Sequence, residues 1–264
     1  MPDFINIIIL GIIEGITEFL PISSTGHLLI AEHWLPPQSE LFNVVIQSGA
    51  VLAVIPLFHQ RFHQFIYRWQ DPATRSYLAK LIVAFVITGI GGFILTKLKF
   101  TLSKELTPVA WALLIGGIVF VAVEMFLRGK KLGENVTWTV AIAVGLGQLV
   151  AAAFPGASRS GTTIMISLLL GLSRPAATEF SFLVSIPTML TAGAYEIFKE
   201  LHHPIPDAPH ENWSMVILAT IVAAVVSFIA VKWLLRYVQT HTFVAFGIYR
   251  IVVGILILAF LVRH

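Results

Sequence analysis

The chain has 264 residues, of which 57% are hydrophobic and 12% are charged, and its net charge is +3. Soluble domains are about 45–50% apolar and about 25% charged, so this composition excludes an ordinary soluble domain as well as disorder. We therefore expect an all-α integral membrane protein. The absence of cysteine excludes thiol catalysis and iron–sulfur clusters. The basic residues fall in short loops, which indicates membrane topology rather than a nucleic-acid partner.

In chain order, the first predicted element is a broken apolar region, 4–35, in which the polar loop 21–27 separates a helix from a short arm. A similar region, 136–172, is broken by the polar loop 155–161. Each second arm has only about 8–11 residues, enough for half a bilayer, so each region is predicted to form a re-entrant helical hairpin. Three transmembrane spans follow each hairpin, and the short second span is expected to extend backwards through Tyr77. The six spans are Leu41–Phe58, Leu81–Thr96, Thr107–Leu127, Thr178–Phe198, Ser214–Leu235 and Phe243–Val262.

The charges of the loops predict the orientation of the spans, because cytoplasmic loops are enriched in lysine and arginine. The loops His59–Lys80 and Arg128–Asn135 are basic and are predicted to be cytoplasmic, whereas Glu196–Trp213 is acidic and is predicted to lie outside. With two re-entrant hairpins, the N-terminus is then external. The basic loop Lys97–Leu106 also falls outside, and there this topology disagrees with the rule.

The two broken regions resemble each other in sequence at a shift of 134 residues, with one insertion in the second loop. Because each copy is followed by an odd number of spans, we predict two inverted halves, 1–131 and 132–264. Such a repeat places the site near the midplane, where the two hairpins meet. The matched residues are Gly11 with Gly145, Glu14 with Gln148, Pro21 with Pro155, and Gly26 with Gly161.

Glu14 and Glu18 lie one helical turn apart in the first hairpin, so their carboxylates share a face. A carboxylate inside a membrane segment is costly and indicates a function. Two roles suit the pair: to hold a hard divalent cation through oxygen, or, for one of them, to accept a proton. The alternative is that the first helix lies partly outside the bilayer and that water solvates both carboxylates.

The first loop carries Ser23, Ser24, Thr25, Gly26 and His27 just before the short arm. Backbone N–H groups at a helix N-terminus bind anions, and hydroxyl groups add further donors. Ordinary N-capping explains serine and threonine at this place, but it does not explain three hydroxyls together with a histidine. We therefore predict that this loop binds substrate, and we interpret His27 as a site residue rather than a core histidine.

The second loop adds a guanidinium to the same pattern. Arg159 falls at the predicted midplane as the only arginine there, and it needs either a phosphate or an ion pair with Glu14 or Glu18. In contrast, we interpret Glu179 and Arg250 as structural ion pairs or as side chains that reach an interface. The predicted binding residues of the second loop are Ser158, Arg159, Ser160, Gly161, Thr162 and Thr163.

These groups together suit phosphoryl transfer, which needs a clamp for the phosphate oxygens, a nucleophile and a proton carrier. A site inside the bilayer implies a substrate with a lipid tail. The residues therefore indicate either a hydrolase of a lipid phosphate or diphosphate, or a transporter of such a lipid.

The segments Glu14–His27 and Pro155–Thr163 closely resemble the two signatures of the bacterial undecaprenyl pyrophosphate phosphatases of the bacitracin-resistance type. The flanking segments Val44–Gln47, Thr178–Phe182 and Ile248–Arg250 are similar to the same family, so the resemblance covers nearly the whole chain. It implies hydrolysis of undecaprenyl diphosphate to undecaprenyl phosphate and inorganic phosphate. That reaction recycles the lipid carrier of peptidoglycan synthesis and confers bacitracin resistance.

The resemblance also implies a divalent cation, Mg²⁺ or Ca²⁺, a place in the bacterial inner membrane and a site that is open to the periplasm. Glu14 and Glu18 match the family's acidic motif, Ser24 and His27 its hydroxyl–histidine loop, and Arg159 its phosphate-binding arginine. We predict that Ser24 is the nucleophile and Glu18 its base, with attack by His27 or by water as alternatives. A polyprenyl-phosphate flippase is the alternative function, and the sequence does not distinguish a homodimer from a monomer.

Overall fold

The computed structural model describes residues 3–98, 100, 105–202 and 211–263. Within these ranges the chain is helical and contains no β-strand, which confirms the predicted fold class. One 3₁₀ turn, Ile55–Phe58, joins the helices Glu40–Val54 and His59–Tyr67. The helices are α1 (Asp3–Thr17), α2 (Ser24–Ala31), α3 (Glu40–Val54), α4 (His59–Tyr67), α5 (Pro72–Lys97), α6 (Leu106–Phe126), α7 (Trp138–Ala153), α8 (Arg159–Leu169), α9 (Arg174–His202), α10 (Trp213–Tyr237) and α11 (Val244–Arg263).

Six helical segments of the described chain are long and apolar enough to cross a membrane, and they coincide with the six predicted spans. The prediction of a multi-pass membrane protein is thereby confirmed, as is the backward extension of the second span, since α5 begins at Pro72. The segments are Glu40–Tyr67, Pro72–Lys97, Leu106–Phe126, Arg174–His202, Trp213–Tyr237 and Val244–Leu261.

The outer surfaces of α5 and α10 have the character of helices that face lipid. On each helix, large apolar side chains recur at intervals of three or four residues and are exposed, so they form a continuous stripe along one face. Such a stripe is unfavourable in water and favourable in a bilayer. The stripes consist of Ile82, Val86, Ile90 and Phe93 on α5, and of Ile217, Ile221, Val225 and Ile229 on α10.

The chain between the first and second spans is helical in part, whereas the sequence analysis treats 59–80 as a loop. The 3₁₀ turn leads directly into α4, which is amphipathic. Phe62 and Phe65 of α4 pack against the main core, and His63 on the opposite side is exposed. The apolar pattern therefore continues beyond the predicted end of the span, and only a short link separates α4 from α5.

The packing of the helices matches between the two halves. α1 packs on α10 and α7 packs on α5, while α3 packs on α9 and α6 packs on α11. In the predicted repeat, α1 corresponds to α7, α5 to α10, α6 to α11, and α3 with α4 to α9. The contact of α1 with α10 is then equivalent to that of α7 with α5. The contacts of α3 with α9 and of α6 with α11 each join two equivalent helices. The inverted orientation of the halves and the re-entrance of the hairpins stay predictions, which this pattern supports. Lys99, Lys104 and residues 203–210, on which the predicted orientation partly depends, lie outside the described residues.

Glycines bring the backbones of the paired helices into close contact in both halves. A Cβ atom on Gly11 of α1 would lie 2.9 Å from the carbonyl oxygen of Ala219 on α10. A Cβ atom on Gly145 of α7 would lie 2.8 Å from the carbonyl oxygen of Ala84 on α5. Because Gly11 and Gly145 are matched positions of the predicted repeat, the same close approach supports both hairpins.

Gly145→Ala is expected to destabilise the fold by about 1–3 kcal/mol, because the new methyl group meets the backbone of Ala84 and the side chain of Ile87. Gly89→Ala on α5 is the matched control. Nothing lies within 4 Å of its Cβ position, and alanine favours a helix over glycine by about 0.5–1 kcal/mol. Thermal unfolding of the protein in detergent measures the difference, and equal midpoints for the two variants would contradict the tight contact between α5 and α7.

Candidate functional site

A serine holds the loop before each short helix in an unusual conformation. Ser23 precedes α2 with φ 75° and Ser158 precedes α8 with φ 69°, and they are the two non-glycine residues of the described chain with positive φ. Each hydroxyl accepts a hydrogen bond from a backbone N–H three residues on, Gly26 at 3.3 Å and Gly161 at 3.2 Å. Strain of this kind costs on the order of 1–3 kcal/mol and concentrates at functional sites. Both loops are therefore candidates for a site.

The two loops border one cavity of about 180 Å³. The first hairpin, the second hairpin and the helices α3, α5 and α9 all contribute to its wall. The lining residues are Glu18, Ser23, Ser24 and Thr25 from the first hairpin, Gln148, Ala151, Ala152, Gly156, Ser158 and Arg159 from the second, and Gln47, Thr88 and Thr188 from the other helices. A small, polar cavity inside an apolar helical protein suits the charged head of a lipid better than its tail.

Glu18 is the centre of the hydrogen bonds in this cavity. The hydroxyl of Ser24 donates a close hydrogen bond to Glu18 Oε2. On the other side, Arg159 Nη2 donates to Glu18 Oε1 at 2.6 Å. The carboxylate is buried, so both bonds act where water screens them little. A carboxylate in contact with a serine hydroxyl can take the proton of that hydroxyl and so activate it as a nucleophile.

Only one of the two terminal nitrogens of Arg159 has a hydrogen-bond partner. Nη2 bonds to Glu18 and contacts the sulfur of Met189, whereas Nη1 is buried and has no partner. The ion pair that the sequence analysis weighs against phosphate binding is therefore present, but it leaves half of the guanidinium fork unused. A buried N–H without an acceptor costs free energy, and a phosphate oxygen in the cavity would provide that acceptor.

Glu14 lies one helical turn before Glu18 and outside the lining of the cavity. Its side chain is fully buried, and neither of its carboxylate oxygens has a hydrogen-bond partner. The alternative in which water solvates both carboxylates does not hold, since Glu18 is buried as well. The charged groups that act on Glu14 are Glu18 and Arg159. Two orphaned oxygens beside a second carboxylate fit a hard divalent cation, which binds through oxygen.

His27 lies outside the polar cavity. Its Nδ1 is 2.7 Å from the carbonyl oxygen of Ser23, and its Nε2 is 2.7 Å from the hydroxyl of Tyr249, whose ring stacks on the imidazole. A carbonyl can only accept, so in neutral His27 the proton is on Nδ1 and Nε2 accepts from Tyr249. Both rings line a separate groove of about 340 Å³, which is almost entirely apolar. The structure therefore connects His27 to the site only through the backbone of Ser23.

The remaining predicted residues divide into those at the cavity and those behind it. Thr25 and Ser158 line it, as do Ser23, Ser24, Glu18 and Arg159. The hydroxyl of Ser160 turns away and bonds to the carbonyl oxygens of Glu18 and Leu20, at 3.3 Å each. These two bonds join the second loop to the segment that follows α1.

Four further predicted positions support the loops from behind. A Cβ atom on Gly26 would meet Leu113, and one on Gly161 would meet Phe120. The methyl group of Thr162 faces Gly147 on α7. Thr163 Oγ1 donates to the carbonyl oxygen of Arg159 at 2.8 Å and also contacts the hydroxyl of Ser181 on α9. These positions pack the helix N-termini, and the structure does not bring them to the cavity.

The sequence predicts no role for several polar residues of the cavity wall. Gln148 donates from Nε2 to Thr88 Oγ1 at 2.8 Å, while its Oε1 is buried and has no partner. Thr88 in turn donates to backbone carbonyls of α5 and α7. One signal was visible, since Gln148 is the repeat counterpart of Glu14. Thr88 and Thr188 lie within spans and have no sequence signal.

Glu179 and Arg250, which have the same two interpretations in the sequence, play different roles in the structure. Glu179 forms the expected structural ion pair, with Arg61 at 2.7 Å. For Arg250, neither interpretation holds within the described residues, because its side chain is fully buried and bonds to four backbone carbonyls rather than to a carboxylate. The assumption that Arg159 is the only arginine at the depth of the loops is therefore wrong. The physical reason is the close packing of α11 on α6, where Gly117 and Gly247 bring the backbones together.

Comparison with known proteins extends over almost the whole chain. The family model for the bacitracin resistance protein BacA matches residues 7–256. A protein from Rhizobium johnstonii named undecaprenyl-diphosphatase is 52% identical over 257 residues, which cover 97% of this chain and 96% of that protein. Proteins with the same name from Xylella fastidiosa and Xanthomonas euvesicatoria are each 48% identical, over 99% of this chain and 100% and 98% of those proteins.

Proposed function

We infer that the chain, which belongs to the family of the bacitracin resistance protein BacA, hydrolyses undecaprenyl diphosphate to undecaprenyl phosphate and inorganic phosphate. The product is the lipid carrier of peptidoglycan synthesis, and removal of the diphosphate takes away the lipid that bacitracin captures. The observation that carries the proposal is the arrangement around Glu18, which accepts a hydrogen bond from Ser24 and another from Arg159 inside a polar cavity.

The first half of the reaction uses these three side chains. Glu18 takes the proton of the Ser24 hydroxyl, and Ser24 Oγ attacks the terminal phosphorus of the diphosphate. The bond from that phosphorus to the bridging oxygen breaks, and undecaprenyl phosphate leaves with the electron pair. The terminal phosphoryl group stays on Ser24 as a phosphoserine.

The second half returns the enzyme to its starting state. Glu18 first passes the proton that it took from Ser24 to the departing undecaprenyl phosphate. It then takes a proton from a water molecule, which attacks the phosphorus of the phosphoserine. The bond from phosphorus to Ser24 Oγ breaks, the proton on Glu18 returns to Ser24 Oγ, and inorganic phosphate leaves. Arg159 supports both halves, because its free Nη1 and its Nη2 match the geometry of phosphoryl oxygens.

The contacts of His27 favour an orienting role over direct proton transfer. Its Nδ1–H bonds to the carbonyl of Ser23, the residue before the nucleophile, and so steadies the strained loop. To protonate the leaving phosphate, the ring would have to leave Tyr249 and turn into the cavity. We therefore propose that His27 holds the loop that presents Ser24.

We propose that Glu14 and Glu18 hold a divalent cation, Mg²⁺ or Ca²⁺. The unpartnered, fully buried oxygens of Glu14 support this assignment. The part of the chain that the structure describes has no group of three or more His, Cys, Asp or Glu side chains that could hold a metal. Glu14 and Glu18 would therefore hold the cation together with oxygens of the substrate or of water. When bound, the cation supplies positive charge that offsets the charge of the diphosphate.

Glu14→Gln is expected to raise the metal concentration needed for half-maximal phosphate release at least about tenfold, because it removes a charged ligand. Titration of MgCl₂ or CaCl₂ into the chelated enzyme measures the change. Glu134→Gln is the control, since Glu134 is exposed and lies in the link between α6 and α7. A Glu14→Gln curve that overlays the wild-type curve would remove Glu14 from the cation site.

The location of the reaction is also a proposal. The acidic sequence segment Glu196–Trp213 and the basic segments His59–Lys80 and Arg128–Asn135 support a site that opens to the periplasmic side of the bacterial inner membrane. One chain contains the whole cavity, so the proposed reaction does not require a homodimer.

The test of the function is release of inorganic phosphate by the purified protein in detergent, with undecaprenyl diphosphate and either MgCl₂ or CaCl₂. We expect multiple turnovers and a stoichiometric yield of undecaprenyl phosphate. No release in this assay, together with movement of the lipid across vesicles that contain the protein, would favour the polyprenyl-phosphate flippase instead.

A further inference from the structure

Arg250 lies at the centre of the protein and joins three pieces of backbone. Its Nη1 donates to the carbonyl oxygens of Pro21 at 3.3 Å and Ala157 at 3.0 Å. Its Nη2 donates to those of Ala112 and Gly156, at 3.1 Å each. Pro21 belongs to the first loop, Gly156 and Ala157 to the second, and Ala112 to α6. One guanidinium therefore bridges both hairpin loops and fastens them to a transmembrane helix.

The bridged carbonyls are close in sequence to the reacting groups. Pro21 is three residues before Ser24, and Ala157 is two residues before Arg159. Between each carbonyl and the reacting residue lies one of the two serines with positive φ, Ser23 or Ser158. A strained backbone persists only where its surroundings determine it. Because Arg250 bonds to both loops, it can hold the backbone of Ser23 and that of Ser158 in their strained conformations.

We propose that Arg250 is a positioning residue for phosphoryl transfer, whose guanidinium fork sets the spacing of the two loops so that Ser24 and Arg159 meet at Glu18. This inference rests on the proposed function. It assigns to Arg250 no contact with the substrate, since Arg250 does not line the polar cavity. It acts through the backbone that carries the nucleophile and the phosphate-binding arginine.

The chemistry of the side chain explains why an arginine is needed. Each terminal nitrogen serves two carbonyls, in a plane that only a guanidinium provides, whereas the ammonium group of lysine is a single point of attachment. The charge is also expensive here, because it is buried, bonds only to neutral carbonyls, and leaves Nε without a partner. The ring of Phe120, 5.3 Å from the guanidinium carbon, offsets part of that cost.

Two glycines leave the space that the guanidinium of Arg250 occupies. A Cβ atom on Gly116 of α6 would overlap Arg250 Nη2, and one on Gly161 of α8 would lie 3.2 Å from Nη1. Gly116 therefore leaves the space that Nη2 occupies. Because Nη2 is the end of a flexible side chain, a methyl group at position 116 is expected to displace the guanidinium rather than to break the packing of α6.

The experiment compares Arg250→Lys, Arg250→Gln and Gly116→Ala in the phosphate-release assay, with kcat and KM measured separately on protein that elutes as folded. Loss of alignment by about 1 Å can cost on the order of 10²-fold in rate. We expect kcat to fall about 10–100-fold in all three variants, while KM stays within about threefold. Arg236→Lys, at an exposed position of α10, and Gly89→Ala are the controls and are expected to keep wild-type kcat.

The three variants separate positioning from a purely structural role. Arg250→Lys keeps the charge and loses the fork, and Gly116→Ala keeps the whole side chain and moves it. If Arg250 only stabilised the fold, thermal midpoints would fall while the folded fraction kept wild-type kcat, and that result in Arg250→Lys or in Gly116→Ala overturns the inference. A wild-type protein that releases no phosphate would instead overturn the proposed function, and this role of Arg250 with it.

Discussion

Arg159→Ala is expected to lower kcat on the order of 10²–10³-fold, the usual loss when one charge-assisted contact to a developing transition state is removed. The structure supports this expectation, because Arg159 lines the cavity and its Nη1 is buried without a hydrogen-bond partner. Arg159→Lys should recover little, since a compact ammonium group does not reproduce the planar fork with which the guanidinium can face Glu18 and the phosphoryl oxygens. Phosphate release at saturating undecaprenyl diphosphate measures the change, with Arg68→Ala, at an exposed position, as the control.

The kinetic pattern distinguishes two roles of Arg159. If it stabilises the transferring phosphoryl group, kcat falls more than affinity does. If it is only the structural partner of Glu18, Arg159→Ala leaves a buried carboxylate without its ion pair, and stability falls while kcat of the folded protein is kept. Near-normal turnover in Arg159→Ala would show that the site is assigned wrongly.

The membrane architecture was predictable because it depends on hydropathy, which is a local property of the chain. Each of the six spans is a continuous apolar run, whereas each broken region contains a polar loop that begins with a proline and interrupts the apolar run. The continuation of the first span into α4 was missed, because histidines, glutamines and an arginine stand between its apolar residues in the sequence and make the segment look like a loop.

The contact between two site residues could also be predicted where both lie in the same hairpin. Ser24 and Glu18 are six residues apart on either side of the Pro21 turn, and the structure brings them into contact. The pairing of Arg159 with Glu18 was one of two options, because a buried guanidinium needs an anion and only Glu14 and Glu18 were near in the predicted arrangement.

The positions of His27 and Arg250 could not be derived from the sequence, because both depend on where α11 packs. The direction of a side chain on a helix that is apolar all round is set by its neighbours and not by its own pattern. Tyr249, which holds His27, and Arg250, which holds the loops, are adjacent on α11, and glycines on α6 and α11 decide how close that helix comes. Gly247 and Gly254 indicate in the sequence that another helix packs closely on α11, but they do not identify that helix.

Ser24→Ala is expected to abolish nearly all turnover and to leave substrate binding in place. The hydroxyl of Ser24 donates a hydrogen bond to Glu18, so Ser24→Ala removes both the nucleophile and the proton that Glu18 accepts. Losses of a covalent nucleophile in other hydrolases are on the order of 10⁴–10⁶-fold in kcat. Phosphate release and binding of undecaprenyl diphosphate to the same preparation measure the two properties separately.

Ser23→Ala is the matched control, because it removes the same group one residue away. The hydroxyl of Ser23 accepts from the N–H of Gly26 at 3.3 Å and caps α2, so its loss costs about 1 kcal/mol of local stability and a modest part of the rate. If Ser24 is the nucleophile, rapid quenching of the wild type traps a phosphoserine at that position, and Ser24→Ala shows none. A phosphohistidine at His27 would require the ring to leave Tyr249 and would move the covalent step there, while robust turnover in Ser24→Ala without any phosphoenzyme would assign the attack to water.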